Sequence, residues 1–305
     1  MRILITGGSG FIGLPIIELL EKTNHELLAF SRVPRRANTA NCKWVEADID
    51  NPAEYEQIIF DYKPEVLLHL AWRGIPDFSL ETCQRNLFAS QKLIDTVITA
   101  GACRKVIISG SCFEYNIKQG VALESNFGTP RDHFTWAKLS LLSWVKTICD
   151  SKNVNWAWLR IFYAYGPRQR VASLVPTLIK SLYDKQVPNI STPFNENDFV
   201  YLSDVARGFV NAVEHDGESG IFNLGSGKPA AILDICRIAD ECINGSQLIA
   251  EALAVKAPAK SVHPDVSFWA DTTRSLDELK WEPLVNLREG IRLSYKWYLS
   301  QSKKQ

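Results

Sequence analysis

An apolar run at 2–6 ends in the turn Gly7-Gly8-Ser9-Gly10-Phe11-Ile12-Gly13, and an amphipathic run begins at once over 13–22. Gly7, Gly10 and Gly13 recur at three-residue spacing. Without Cβ atoms the backbone can turn sharply there and come close to a pyrophosphate. The helix that follows aims unpaired N–H groups and the positive end of its dipole at the same point. A glycine cluster alone is a common tight turn. Between a first strand and a first helix it predicts a dinucleotide-binding loop, with Gly7, Gly10, Phe11, Ile12 and Gly13 against the cofactor.

The rest of the chain has to supply the sheet that such a loop requires. Strands are expected at 26–31, 44–48, 66–71, 105–109 and 156–162, and helices at 53–62, 82–100 and 134–151. The run 66–71 is almost wholly apolar, as in a strand covered on both faces. Strands separated by helices of this length form βαβ units, and right-handed crossovers wind them into an α/β fold with a doubly wound parallel Rossmann sheet. After Gly166-Pro167 the segments become irregular and proline-punctuated, with Pro176, Pro188, Pro193, Pro229, Pro258, Pro264 and Pro283. This predicts a dinucleotide-binding domain over 1–165 and a smaller C-terminal α/β domain, mainly substrate-binding, over 166–305. Strands or helices are expected to cross that boundary.

Composition narrows the function classes. Lys plus Arg and Asp plus Glu both number 34, so the formal charge is zero and nothing favours nucleic acid or an anionic membrane as partner. The seven cysteines contain no C-x-x-C pair and the five histidines form no ligand pattern, so neither a metal site nor a disulfide framework is expected. No apolar run approaches the roughly 20 residues of a membrane span, and the N-terminus reads as a strand rather than a signal peptide. The expectation is a cytoplasmic protein.

The strand ends then specify the cofactor. An acidic residue closing the second strand usually binds the adenosine ribose of NAD. Here the end reads Ser31-Arg32, with Arg35 and Arg36 behind it. Serine and arginine suit a 2′-phosphate, which predicts NADP first and NAD second. Asp48 and Ile49 close the third strand, where an acceptor could meet the adenine amino group. Leu70 and Ala71 end the fourth strand beside the middle of the cofactor, Trp72 comes directly after them, and Asn86 and Phe162 are further expected contacts. His69 reads either as a base or as a hydrogen-bonded core histidine.

At this point the residues resemble the extended short-chain dehydrogenase/reductase family, also called the NAD-dependent epimerase/dehydratase family. The resemblance rests on TGGSGFIG at 6–13, HLA at 69–71, SGSCFEY at 109–115, LRIFYAYGP at 159–167, DFVYLSDVA at 198–206, FNLGSGK at 222–228 and DTTRSLDELKWEP at 271–283. It implies a seven-stranded Rossmann domain, a smaller domain that holds a nucleotide sugar, and hydride exchange between nicotinamide and a sugar carbon. It also implies a catalytic Ser/Thr and a Y-x-x-x-K pair. Ser111 takes the first place, with Ser109 behind it, and Lys138 takes the lysine place, where it would also bind the nicotinamide ribose. The tyrosine place holds Phe134.

A phenyl ring keeps the shape of a phenol but has no proton to give. Three readings stay open: an engineered Tyr→Phe change, another acid among Tyr115, His133, Tyr163 and Tyr165, or a binder that does no chemistry. Tyr163 stands where many relatives carry asparagine against the sugar nucleotide, and Arg168 and Arg170 resemble the segment that meets the substrate diphosphate. Trp136 is a further residue that could face the sugar, and Asp204 reads as a cap on the helix behind it. The activity implied first is NADP-dependent reduction of a nucleotide-linked 4-keto-6-deoxy sugar. The alternatives are a nucleotide-sugar epimerase and a non-catalytic NADP-binding sensor. Helices 82–100 and 134–151 resemble the family's dimer face, which implies a homodimer.

Overall fold

The computed structural model describes residues 1–33, 36–126, 128–256 and 265–302. Arg35 lies outside the described residues. The chain opens with β1 (Arg2–Thr6), α1 (Gly13–Leu20), β2 (Glu26–Ser31), β3 (Cys42–Glu46), α2 (Glu56–Tyr62) and β4 (Val66–His69). It continues with α3 (Leu80–Thr99), β5 (Lys105–Ser111), β6 (Gln119–Ala122), α4 (His133–Lys152), β7 (Asn155–Ile161) and β8 (Tyr163–Tyr165). Next come α5 (Leu174–Tyr183), β9 (Glu196–Asn197), β10 (Phe199–Tyr201), α6 (Leu202–Glu214), β11 (Gly220–Leu224) and β12 (Ala230–Ala231). The last are α7 (Ile232–Asn244), α8 (Leu248–Lys256), β13 (Ser267–Ala270), α9 (Thr273–Asp277) and α10 (Leu287–Ser302).

Seven parallel strands form the main sheet in the order β11-β7-β5-β4-β1-β2-β3, a doubly wound α/β arrangement. Period-two alternation divides its side chains between two cores. Ile3 and Ile5 of β1 face Ile16 and Ile17 of α1 and Val205 and Phe209 of α6. Leu4, between them, faces the opposite layer with Leu93 and Ile94 of α3 and Leu141 and Val145 of α4. Strand order reverses between β1 and β4, so a crevice opens beyond their C-terminal ends, where the glycine loop leaves β1.

Several elements depart from the sequence reading at their ends. The strand expected at 44–48 begins at Cys42, because Leu27 of β2 pairs with Cys42 in parallel register. The strand expected at 105–109 extends to Ser111, held by pairing of Ser111 with Ile161. The helix expected from 82 starts at Leu80, because the Ser79 hydroxyl accepts from the Thr82 N–H.

A second, smaller body is built around β12-β9-β13-β6, with β10 paired to β8 alongside. Its core packs Leu178 and Leu182 of α5 against Ile235 and Ala239 of α7 and Ile291 of α10. The chain then returns to the main sheet. β11 lies far beyond residue 165, yet it forms the edge next to β7. Asn223 on β11 joins the two bodies: its side-chain amide donates to the Ala122 and Asp271 carbonyls at 2.9 and 3.0 Å, and its oxygen accepts from the Tyr115 hydroxyl at 2.5 Å. Asp204 is structural, but it does not cap its own helix. It accepts from the N–H groups of Leu284 and Val285 at 3.0 and 2.9 Å, anchoring the segment before α10. Among the described residues no helix is long and apolar enough to cross a membrane, and no cluster of metal-ligating side chains occurs.

Candidate active site

The glycine loop packs directly on the segment after β4. Gly7 has φ +73°, and a Cβ there would lie 2.7 Å from the Ala71 nitrogen. A Cβ on Gly13 would collide with the Gly7 carbonyl and the Gly8 backbone. Only glycine fits these two positions, and the result is a backbone cradle at the mouth of α1. The cradle forms one wall of a cleft of about 420 Å³, which Gly7, Ser9 and Gly10 line. Phe11 and Ile12 lead from it into α1.

Beyond the ends of β2 and β3 the cleft is walled by Ser31, Arg32, Asp48 and Ile49. The Ser31 hydroxyl donates to the Val33 carbonyl at 2.9 Å and lies 3.0 Å from the Ser9 hydroxyl, which ties the β2 end to the glycine loop. Arg32 is exposed on the cleft rim and has no ion-pair partner among the described residues. Arg36 is engaged elsewhere, at 2.6 Å from Glu18 on α1. Asp48 meets the guanidinium of Arg73, which also lies 2.9 Å from Asp50. Burial pushes the Asp48 carboxyl up, but the Arg73 hydrogen bond and charge outweigh it and hold it below the usual carboxylate range.

Beyond the glycine loop, Leu70, Ala71 and Trp72 line the cleft. His69 turns inward instead. It is buried between the Thr6 and Ser90 hydroxyls at 2.7 and 2.9 Å, and burial together with the Lys138 charge pushes its pKa down to about 3. It is a neutral core histidine and no base.

Two capping motifs position Ser111, Phe134 and Lys138, the three residues expected to be catalytic. None of them lines the cleft, but Phe134 and Lys138 adjoin it through Trp72. Asp132 accepts from the Thr135 N–H at 2.7 Å while Thr135 accepts from the Asp132 N–H at 3.2 Å, which starts α4 just before Phe134. Phe134 and Lys138, one turn apart, both face inward. Ser111, the last residue of β5, accepts from the Phe113 N–H at 3.2 Å, while its own N–H donates to Glu114 at 2.8 Å. The Lys138 ammonium donates to the Ser109 carbonyl at 2.8 Å and sits 4.0 Å above the Trp72 ring. Burial, partly opposed by the Glu114 charge, lowers its pKa to about 8. The Phe134 ring is only 6% exposed, held edge-on by Trp72 at 5.5 Å and against Phe78 at 4.8 Å.

A glycine cradle at a switch point, beside a strand-end serine and a buried lysine, agrees with a family match over residues 3–225, described as the NAD dependent epimerase/dehydratase family. The chain belongs to this family. It is 27% identical to a UDP-glucuronate 4-epimerase of Thermodesulfobacterium geofontis, over 96% of this chain and 95% of that one. It is 23% identical to a dTDP-4-dehydro-6-deoxyglucose reductase of Escherichia coli, over 95% of each. In fold it is similar to the UDP-glucose 4-epimerase of Thermotoga maritima solved with UDP-glucose, with a TM-score of 0.85, 24% identity, and 99% and 100% of the two chains covered.

The epimerase/dehydratase frame sorts the remaining sequence-predicted residues. Tyr115 and Tyr165 are fully buried, with hydroxyls directed to Asn223 and the Leu287 carbonyl, and burial holds both phenols well above their ordinary pKa. They are core residues rather than acids. His133 is exposed on the first turn of α4. Tyr163 is half-buried among Phe113, Phe199 and Phe268. Phe162 is packed between Tyr115 and Phe268 in the core. Arg168 pairs with Glu18 of α1 at 3.5 Å, and Arg170 is exposed. Trp136 lies with Trp144 in a shallow groove on the outer side of α4 and is absent from the cleft wall.

Asn86 does not reach the cleft wall. Its amide accepts from the Arg73 N–H at 2.6 Å and donates to the Arg73 carbonyl at 3.0 Å, because a buried carboxamide matches the donor and acceptor of a peptide unit. Glu114, the carboxylate nearest Ser111 in sequence, is fully buried. It pairs with Arg160 at 2.9 Å and accepts from the Trp158 indole at 2.9 Å, so it is committed to the core. Sequence reasoning missed Arg73 and Phe78. The only signal for Arg73 was a cation two residues after HLA, and Phe78 carried none.

Proposed function

We propose that this protein is an NADP-dependent oxidoreductase that reduces a nucleotide-linked 4-keto-6-deoxy sugar, with Phe134 in the place of the family's tyrosine. The observation that carries the cofactor choice is the end of β2. It offers Ser31 and the rim cation Arg32, with no carboxylate to take an adenosine ribose hydroxyl and repel a 2′-phosphate. The glycine loop suits a pyrophosphate, because Gly7 and Gly13 pack backbone on backbone where a side chain would collide, and the loop leads straight into the N-terminus of α1. When bound, NADPH would supply the hydride and leave as NADP+, and the sugar carbonyl would become an alkoxide that takes its proton from solvent, because Phe134 has none to give. Ser111 holds the sugar oxygen as it gains charge, and Lys138 holds the nicotinamide ribose. Tyr163, Arg168 and Arg170 are assigned to the substrate side. Reduction is favoured over epimerisation by the NADP choice, since an epimerase returns its hydride to the same sugar.

The test compares the protein with its Phe134→Tyr variant for NADPH oxidation on a panel of 4-keto-6-deoxy nucleotide sugars, with NADH as the control cofactor. The variant is expected to turn over about 10²-fold faster or more. If both proteins bind NADPH and both are inert, the reductase reading fails. A binding module that does no chemistry then takes its place. That second reading draws on one observation: the Phe134 ring is closed in by the rings of Trp72 and Phe78.

The partner assignment is a homodimer through α3 and α4. Phe88 on α3 is 62% exposed, and Trp136 and Trp144 lie together on the outer side of α4. Sedimentation of the protein and of a Phe88→Glu variant tests it, with the variant expected to run as a monomer.

A further inference from the structure

Arg73 follows β4, but its guanidinium meets carboxylates that follow β3. In the sheet β1 and β2 lie between those two strands, so the segments after β4 and β3 approach each other beyond those C-terminal ends, with the Arg73 side chain as the link. Those ends carry the adenosine half of the cleft, walled by Ser31, Asp48 and Ile49. Both ends of the span are fastened. The Arg73 backbone is clamped on its N–H and its carbonyl by Asn86, which is 3% exposed. Asp50 is held from the far side by Arg85 at 2.8 Å. An ordinary surface ion pair is loosely held by two long side chains. Here a buried carboxamide fixes the backbone, and the charged tip lies on a ligand cleft.

A planar guanidinium is only weakly hydrated on its faces and stacks on aromatic rings. Asp48, held as a carboxylate at the same tip, is an acceptor for an exocyclic amine. We propose that Arg73 straps the adenosine half of the cleft and holds the purine of the dinucleotide by its face, beside Asp48 as acceptor for the purine amino group. This makes Arg73 a binding residue of the cofactor site, with Asn86 and Asp50 as its positioning residues. The inference rests on the dinucleotide reading of the cleft.

The experiment measures dissociation constants of NADPH, NADH and ADP-ribose by calorimetry on the full chain and on Arg73→Ala, Arg73→Lys and Asp50→Asn. Far-UV circular dichroism serves as the folding control. Arg73→Ala is expected to weaken NADPH roughly ten-fold. ADP-ribose, which lacks the nicotinamide, should weaken by the same factor. Arg73→Lys keeps the charge without the flat face, so it should recover only part of the loss, and Asp50→Asn should show a smaller loss. Equal affinity in Arg73→Ala and the parent overturns the strap, as does a loss confined to NADPH and absent for ADP-ribose. Full recovery in Arg73→Lys overturns the stacking and leaves charge alone. If the parent chain binds none of the three ligands, the dinucleotide reading itself falls and the strap falls with it.

Discussion

The cleft beside β2 and β3 and the cluster around Phe134 are built from different forces. Beside β2 and β3, partly exposed charges hold one another: Arg73 with Asp48 and Asp50, and Arg85 with Asp50. Around Phe134 packing does the holding. Trp72 and Phe78 enclose Phe134, and Lys138 lies buried between a carbonyl and an indole face. Behind that cluster stands a fully buried pair, Glu114 and Arg160. A charged, half-wet cleft can change its ligand preference by exchanging one side chain at small energetic cost. A packed cluster tolerates only substitutions that keep volume. Phenyl for phenol is such a substitution: it keeps the shape and lacks only the hydroxyl.

The contrast can be tested from its strongest side to its weakest. Glu114→Gln leaves Arg160 buried without its counter-charge. It should lower unfolding free energy by about 3–5 kcal/mol, read from urea midpoints. Lys138 comes next. Burial sets its folded pKa at about 8, below the unfolded value of 10.5, so between those limits the unfolded state binds more protons. Stability should therefore rise with pH across that window, by up to about 3 kcal/mol, and Lys138→Met should abolish that part of the slope. Denaturation curves at stepped pH on both proteins decide it; parallel slopes would show that Lys138 is not the group responsible.

Gly13→Val drives a side chain into the Gly7 carbonyl and Gly8 backbone, so it should displace the glycine loop and weaken dinucleotide binding by about 100-fold or more, measured by NADPH titration with circular dichroism as the folding control. Arg32→Ser is expected to narrow the preference for NADPH over NADH by roughly ten-fold, and unchanged discrimination would remove Arg32 from the 2′-phosphate site. Smallest is the effect of Asp50→Asn on stability. In the half-wet cleft it should be under about 1 kcal/mol and shrink further in salt. A loss as large as that of Glu114→Gln would erase the distinction between the two regions.

What was legible in the sequence follows the same division. The glycine loop and the apolar strands are local patterns, so the sheet and the cofactor cradle could be read from spacing alone. Lys138 and Phe134 were legible because four-residue spacing fixes a helix face. Arg73 was not, because its partners lie three strands away in the sheet and only tertiary structure brings them within reach. Asn86 was placed in the right neighbourhood but in the wrong role, since a carboxamide's partner cannot be read from its position on a helix. Tyr115 and Tyr165 could be told from candidate acids only once their burial was known. In the smaller body β9 and β12 are two residues each, too short for any period to show.

The return of β11 to the main sheet bears on how the protein is made. Ribosomal synthesis delivers the chain from its N-terminus, and domains fold as units once their parts have emerged. Here six strands of the sheet are complete by Ile161, but the seventh does not arrive until Gly220–Leu224. Until then a nascent chain carries β7 as a bare edge, with the smaller body's first elements still forming beside it. Such an edge is a template for mispairing with another chain. A product truncated anywhere between 165 and 220 keeps that edge permanently, and aggregation of such fragments, set against the solubility of the full chain, would be its signature.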